Sequence, residues 1–83
     1  MSVSVARGAA PKYVIEILKR VAANQSGVTK EPVPEAYVVN FAPAAVNFNV
    51  RAWTEQYEDC VQVRSDLSVA IDEALIRENI PIA

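Results

Sequence analysis

The stretch Val46-Asn47-Phe48-Asn49-Val50-Arg51-Ala52-Trp53 decides the fold of this chain. Two sets of side chains alternate along it, and a period of two is typical of a β-strand with one buried face. The valine, phenylalanine and alanine side chains are therefore expected to face a core. The two asparagines, the arginine and the tryptophan are expected on the opposite face of the sheet.

The residues before this strand predict its partner in a β-hairpin. Ala36 to Phe41 is strand-like, and the alternation places Tyr37, Val39 and Phe41 on one side. Ala42-Pro43-Ala44-Ala45 then provides a short connection, although it lacks the Gly or Asn that hairpin turns commonly use. We therefore expect two antiparallel strands joined by a tight turn.

A short strand and an amphipathic helix are predicted at the N-terminal end. Val3 and Val5 alternate with serines, which indicates a strand with one buried face. Pro11 suits the first position of a helix, and Gly27 can adopt the positive φ of a helix-ending turn. The apolar stripe of this helix consists of Val14, Ile15, Leu18, Val21 and Ala22.

A second helix and a last short strand are predicted at the C-terminal end. The helix starts near residues 58–59, where carboxylates favour the positive end of the helix dipole. Asn79 ends it, because asparagine tolerates the left-handed conformation of many helix ends. Ile80 and Ile82 alternate across Pro81, whose missing N–H places this strand at an edge. The apolar stripe of the helix consists of Val63, Leu67, Ala70, Ile71, Ala74 and Leu75.

This order of elements predicts one α+β domain over residues 1–83. Two apolar helix stripes need cover, and one face of a sheet covers both most economically. Right-handed crossovers in a β-α-β-β-α-β chain give a ferredoxin-like sandwich, with four antiparallel strands in the order 4-1-3-2 and two helices on one face. The residues expected under the helices are Val3, Val5, Val46, Phe48, Val50, Ile80 and Ile82.

Composition excludes several classes of function. The chain has 8 Lys+Arg, 10 Asp+Glu and a net charge of −2, so it lacks the basic surplus that nucleic-acid binding requires. It has no His and 1 Cys, which disfavours a zinc or iron site and rules out a His-dependent triad. No apolar run of about 18 residues occurs, so membrane insertion is not expected. We predict no catalytic residue, no bound metal and no cofactor.

Arg51 and Trp53 are the candidate interface residues. Both fall on the non-core face of the hairpin strand, and Arg and Trp are common anchors of protein interfaces. The alternative is an Arg–Trp stack that merely covers one face of the sheet. Asn47 and Asn49 extend this polar stripe, with simple solvated positions as their alternative.

Cys60 and the acidic residues around it are weaker candidates. Cys60 has no His to activate it, and Glu58 and Asp59 oppose ionisation of its thiol, so we expect it to be inert. Glu55 and Asp66 complete an acidic group that lacks the spacing of a calcium loop. We therefore interpret these carboxylates as charges at the start of a helix.

Several motifs then occur in a recognisable order, in residues 3–14, 14–18, 27–35, 46–53, 63–67 and 80–82. The fourth is similar to Ile-Asn-Phe-x-Val-Arg-x-Trp, and Val14-Ile15-Glu16-Ile17-Leu18 looks like Val-Ile-Glu-Ile-Leu. Together they resemble the cytoplasmic C-terminal α/β domain of the small-conductance mechanosensitive channel (MscS-type) family. Nearly the whole chain takes part in this resemblance.

The chain departs from the family pattern at three places. Ala10 stands where the family has a helix-capping Asp, which should cost the first helix about 1 kcal/mol. Residues 42–45 replace a Gly-Asp-Ser-Ser-like turn, and Arg7 replaces an aromatic residue. Family members also continue past this point and carry membrane helices upstream, so we expect the chain to be a fragment of a larger membrane protein.

The resemblance implies a part in a channel rather than chemistry of its own. In the family, membrane tension opens a pore lined by an upstream helix, which relieves hypo-osmotic stress by releasing ions and small solutes. The domain would belong to a cytoplasmic vestibule at the inner membrane. Identical subunits, usually a heptamer, would build it together with upstream membrane and β domains. The alternative is a free-standing ferredoxin-like regulatory module that binds a small ligand, which a thermal-shift screen would detect.

Overall fold

The computed structural model describes residues 1–55 and 57–82. It consists of an antiparallel sheet and two helices, which confirms the α+β class. The strands are β1 (Ser2–Ala6), β2 (Glu35–Phe41) and β3 (Ala45–Arg51). The helices are α1 (Pro11–Asn24) and α2 (Cys60–Arg77), and a short 3-10 helix (Tyr57–Asp59) precedes α2.

The strand that decides the fold lies at the centre of the sheet. The strand order is β1-β3-β2, and β3 is antiparallel to both neighbours. The predicted hairpin is confirmed: the Ala42 N–H donates to the Ala45 carbonyl at 2.8 Å, and the Ala45 N–H donates back at 3.4 Å. Pro43 and Ala44 therefore form a two-residue loop.

One core lies between the sheet and both helices. Its sheet side includes Val5, Val46, Phe48 and Val50, which are all buried as predicted. Val3 is only partly buried at its margin. The buried helix residues of this core are Val14, Ile17, Leu18, Ala22, Leu67, Ile71, Ala74 and Leu75. Both helices thus cover the same face of the sheet.

The prediction of a fourth strand is wrong for the described residues. Only one bridge, between Val5 and Ile82, extends the sheet beyond β1. The Pro81 carbonyl accepts a hydrogen bond from the Ala6 N–H at 2.9 Å, but proline has no N–H with which to continue the ladder. Ile80 is buried as predicted, whereas Ile82 is 47% exposed and lies outside the core. The sheet is therefore three-stranded.

A β-bulge in β2 overturns the prediction that Tyr37, Val39 and Phe41 share one side. Val38 pairs with Phe48 and Asn40 pairs with Asn47, so Val39 is an extra residue. Tyr37 then lies opposite Asn49 on the outer face of the sheet, the face away from the helices. Phe41 lies opposite the inward-facing Val46, at the end of the hairpin.

The end of α2 follows the sequence closely. Asn79 has φ +59°, as its role as a helix stop predicts. Its N–H donates to the Ile76 carbonyl at 3.0 Å, and the Ile80 N–H donates to the Leu75 carbonyl at 2.9 Å. These two bonds form a Schellman motif, and burial of Leu75 and Ile80 adds the apolar contact that often accompanies it.

The two helices are also joined across their ends. The Tyr13 hydroxyl donates a hydrogen bond to the Glu78 carboxylate. This hydrogen bond is the largest cause that raises the pKa of Tyr13 above its ordinary value, and partial desolvation is the second. The contact ties the first turn of α1 to the C-cap residue that follows α2.

The start of α1 lacks a side-chain cap, as the sequence predicts. Ala10 occupies the N-cap in an extended conformation (φ −66°, ψ 123°) without a side-chain hydrogen bond, and Pro11 follows it. We expect Ala10→Asp to raise the free energy of unfolding by about 1 kcal/mol, because the new carboxylate can accept a hydrogen bond from a backbone N–H of the first turn. Urea denaturation followed by circular dichroism measures this change. Ala23→Asp, in the last turn of α1, is the control and should not stabilise; an equal gain there would contradict the capping explanation.

Candidate functional site

The outer face of the sheet is a hydrogen-bonded surface rather than a row of separate polar residues. Asn47 lies between Ser4 on β1 and Asn40 on β2 in the strand register. The Ser4 hydroxyl donates to Asn47 Oδ1 at 2.7 Å, and Asn47 Nδ2 donates to Asn40 Oδ1 at 2.7 Å. One asparagine thus connects all three strands.

Asn49 repeats this arrangement two residues further along β3. Its Nδ2 donates to the Tyr37 hydroxyl at 2.9 Å, and its Oδ1 accepts from the Met1 amine at 3.0 Å. Both asparagines are only half-buried, yet their amides are used within the sheet. The interpretation as solvated outer positions is therefore incomplete, because these side chains cross-link the strands.

Arg51 and Trp53 form a cation–π pair at one end of this face. The Arg51 Cζ lies 5.4 Å from the centroid of the Trp53 ring. Arg51 is the exposed last residue of β3, and Trp53 is half-buried just beyond the strand. The Arg–Trp stack, the alternative for these residues, is thus present, and their role in an interface stays a prediction.

The strand ends before Trp53 because the chain changes partner there. The Thr29 N–H donates to the Trp53 carbonyl at 2.8 Å, and Thr54 forms an antiparallel bridge with Val28. The loop after α1 therefore holds the backbone of Trp53 in place. Only Arg51 needs to bend over the ring to complete the stack.

A cleft of about 240 Å³ opens beside this pair, between the end of β3 and the start of α2. Cys60, a half-buried free thiol, lines it together with Arg64. A small ligand of the kind that the alternative function requires would use an open cleft of this type. Within residues 1–55 and 57–82, no three His, Cys, Asp or Glu side chains are grouped so that they could hold a metal ion.

A second cation–aromatic contact, which the sequence does not predict, lies at the tip of the hairpin. The Arg7 Cζ lies 5.5 Å from the Phe41 ring centroid, and its Nη1 donates to the Ala42 carbonyl at 3.1 Å. Residues 7 and 41 are far apart in sequence, and the bulge at Val39 decides which way Phe41 points. No local pattern reveals this pair.

Comparison with known proteins finds a family match over almost the whole chain. The family model for the C-terminal part of the MscS mechanosensitive ion channel matches residues 1–82. An uncharacterized MscS family protein of Haemophilus influenzae (strain ATCC 51907 / DSM 11121 / KW20 / Rd) is 30% identical over 83 residues. That alignment covers 100% of this chain and 8% of the relative.

The chain therefore spans a small part of the length of that relative. Within the part of the chain that the structure describes, neither helix is long and apolar enough to cross a membrane. The family match nevertheless covers every strand and helix, including the stretch from Val46 to Trp53. The chain belongs to the MscS mechanosensitive ion channel family, whose C-terminal domain it represents.

Proposed function

We propose that this chain forms the cytoplasmic vestibule and assembly domain of a mechanosensitive ion channel. The channel would release ions and small solutes when hypo-osmotic shock raises membrane tension. The observation that carries the proposal is the family match over residues 1–82. The role would be structural and non-enzymatic, because the domain would build a wall and leave permeation to residues elsewhere in a longer chain.

The partners in this proposal are identical subunits, with a heptamer as the family expectation. The upstream membrane and β domains of the same longer chain would position the domain at the cytoplasmic side of the inner membrane. Attachment to a common membrane assembly raises the effective concentration of neighbouring domains. Contacts that are weak between isolated domains can therefore suffice within the channel.

Arg51 and Trp53 are the proposed interface residues of this domain. Their stack lies at an end of the sheet, where Trp53 is anchored by the Thr29 hydrogen bond and Arg51 is exposed. A pre-ordered Arg–Trp pair loses little side-chain entropy when a partner covers it. The pair thus has the chemistry and the rigidity of an interface anchor.

The first experiment tests the channel itself. The reading frame that encodes this chain should extend upstream into several hydrophobic segments. The full-length protein should then give tension-activated currents in patch-clamp recordings and protect channel-deficient cells from hypo-osmotic shock. A stop codon directly before Met1, or a full-length protein without such currents, would overturn the proposed function.

The second experiment tests the Arg51–Trp53 pair in the full-length channel. Trp53→Ala should lower the yield of assembled channel several-fold, whereas Trp53→Phe keeps an aromatic face and should retain most of it. Val33→Ala truncates an exposed apolar side chain in the loop before β2 and serves as the control. Circular dichroism of the 83-residue domain with Trp53→Ala separates loss of assembly from loss of folding. Unchanged assembly and gating of Trp53→Ala would contradict the interface.

A further inference from the structure

The outward side of α2 carries large apolar side chains that the described residues leave mostly exposed. Val69 and Ile76 are 55% and 63% exposed, and their spacing of seven residues places them on one face of the helix. Asp72 and Glu73 lie three or four residues from both, so they border the same face. We call these four residues the α2 ridge, which is apolar at its centre and acidic at its margins.

The hairpin tip has the opposite charge and a similar apolar content. Val39 and Phe41 are 56% and 58% exposed, and Arg7 lies over the Phe41 ring. The sequence from Ala36 to Val50 contains no acidic residue, so Arg7 sets the charge of this surface. We call Arg7, Val39 and Phe41 the tip patch.

The fold separates these two surfaces. The tip patch lies at the end of the β2–β3 hairpin, whereas the α2 ridge faces away from the core in which Leu67, Ile71 and Leu75 are buried. One molecule therefore presents an apolar surface with a cation and a second apolar surface with two carboxylates. Exposed apolar residues grouped in this way are typical of interaction surfaces.

We propose that the tip patch of one copy of this domain docks on the α2 ridge of a second copy. Phe41 and Val39 would cover Val69 and Ile76, and the remaining N–H groups of Arg7 would reach Asp72 or Glu73. Unlike surfaces that meet between identical copies make a head-to-tail contact, which closes into a ring when the rotation permits. This inference rests on the proposed function only in taking identical subunits as the partners.

Charge favours this pairing over the alternatives. Two tip patches facing each other would bring two Arg7 side chains together, and two α2 ridges would bring two Asp72 carboxylates together. Glu73, in contrast, shares a cavity with Arg20 and Arg77 of its own molecule. Like charges across an interface are unfavourable, whereas the mixed pairing joins a cation to carboxylates. Among the three pairings of these two surfaces, charge therefore favours the head-to-tail contact.

Cysteine cross-linking of the 83-residue chain distinguishes the three pairings. Ala44→Cys places a thiol beside the tip patch, and Ser65→Cys places one turn before Val69; both variants carry Cys60→Ser. One variant is labelled with ¹⁵N, the two are mixed at high concentration, and mass spectrometry after mild oxidation identifies each disulfide dimer. Disulfide formation traps brief encounters, so a weak contact suffices. We expect the mixed dimer to exceed either homodimer at least five-fold.

Charge reversal provides the specific control. Arg7→Glu in the Ala44→Cys variant should lower the mixed dimer at least five-fold, and Asp72→Arg or Glu73→Arg in the Ser65→Cys variant should restore it. Ala23→Cys, on the exposed end of α1, gives the background level. Homodimers in excess, a mixed dimer at background, or a loss that neither reversal restores would overturn the proposal. The patch-clamp result is independent of these outcomes, so failure of the interface and failure of the proposed function are distinguishable.

Discussion

Phe48→Ala is expected to remove about 3–5 kcal/mol from the free energy of unfolding. Phe48 is only 1% exposed and is among the largest fully buried side chains of the core. It lies at the middle of the central strand, opposite Val3 on one side and Val38 on the other. Native proteins have only about 5–15 kcal/mol of stability in total, and small domains lie at the low end because they bury less surface. The cavity left by Phe48→Ala should therefore leave the domain close to unfolding at room temperature.

The chain offers a matched control for this change. Phe41→Ala removes the same side chain from a position that is 58% exposed. It should cost only about 0.5–1 kcal/mol, because what it loses is mainly the exposed contact with Arg7. Urea denaturation followed by circular dichroism compares the two variants. Phe48→Leu, which leaves a smaller cavity, keeps the comparison possible if Phe48→Ala does not fold. Equal losses for Phe41→Ala and Phe48→Ala would contradict a core centred on β3.

The core could be predicted because its signals are local. Alternation from Val46 to Val50 needs only the period of a strand, and the apolar stripes of both helices need only the period of a helix. The same holds for Asn79, whose left-handed conformation follows from residue type at a helix end. Each of these features depends only on residues that are close to one another in the sequence.

The errors have a different origin. The bulge at Val39 leaves no mark in a segment of β-formers, since Val at that position suits a regular strand equally well. It nevertheless moves Phe41 to the opposite face from Tyr37. The missing fourth strand follows from Pro81, whose carbonyl can pair while its nitrogen cannot. Pro81 does lie beside the edge strand β1, but one carbonyl hydrogen bond and one bridge do not extend into a strand.

The candidate surfaces also differ in how well the sequence predicts them. The Arg51–Trp53 stack follows from alternation in the sequence, because the two residues are two positions apart, although β3 itself ends at Arg51. The Arg7–Phe41 pair depends on the bulge at Val39. It also depends on the pairing of β1 with β3, which brings the end of β1 beside the hairpin turn. The acidic border of the α2 ridge was visible in sequence, but its importance depends on which residues of α2 remain uncovered after packing.

The second large effect is expected from Gly27→Ala, which should cost about 2–4 kcal/mol through backbone strain and overpacking. Gly27 has φ +91°, as its place after α1 predicts, and a Cβ built on it would lie 2.7 Å from Val63 Cγ2. Val63 is buried at the start of α2, so its methyl group has little room to move aside. The loop after α1 and the start of α2 would be pushed apart.

Two further variants separate the causes of that loss. Gly8→Ala also replaces a glycine of positive φ (+124°), but its Cβ would meet nothing within 4 Å, so it reports the backbone strain alone. Gly27→Ala combined with Val63→Ala removes the clashing methyl, and the double variant should be more stable than the sum of the single losses by about 1 kcal/mol or more. Strictly additive losses in urea denaturation would show that the Cβ clash contributes nothing. The loss of stability in Gly27→Ala would then come from its positive φ alone, because truncating Val63 would have relieved none of it.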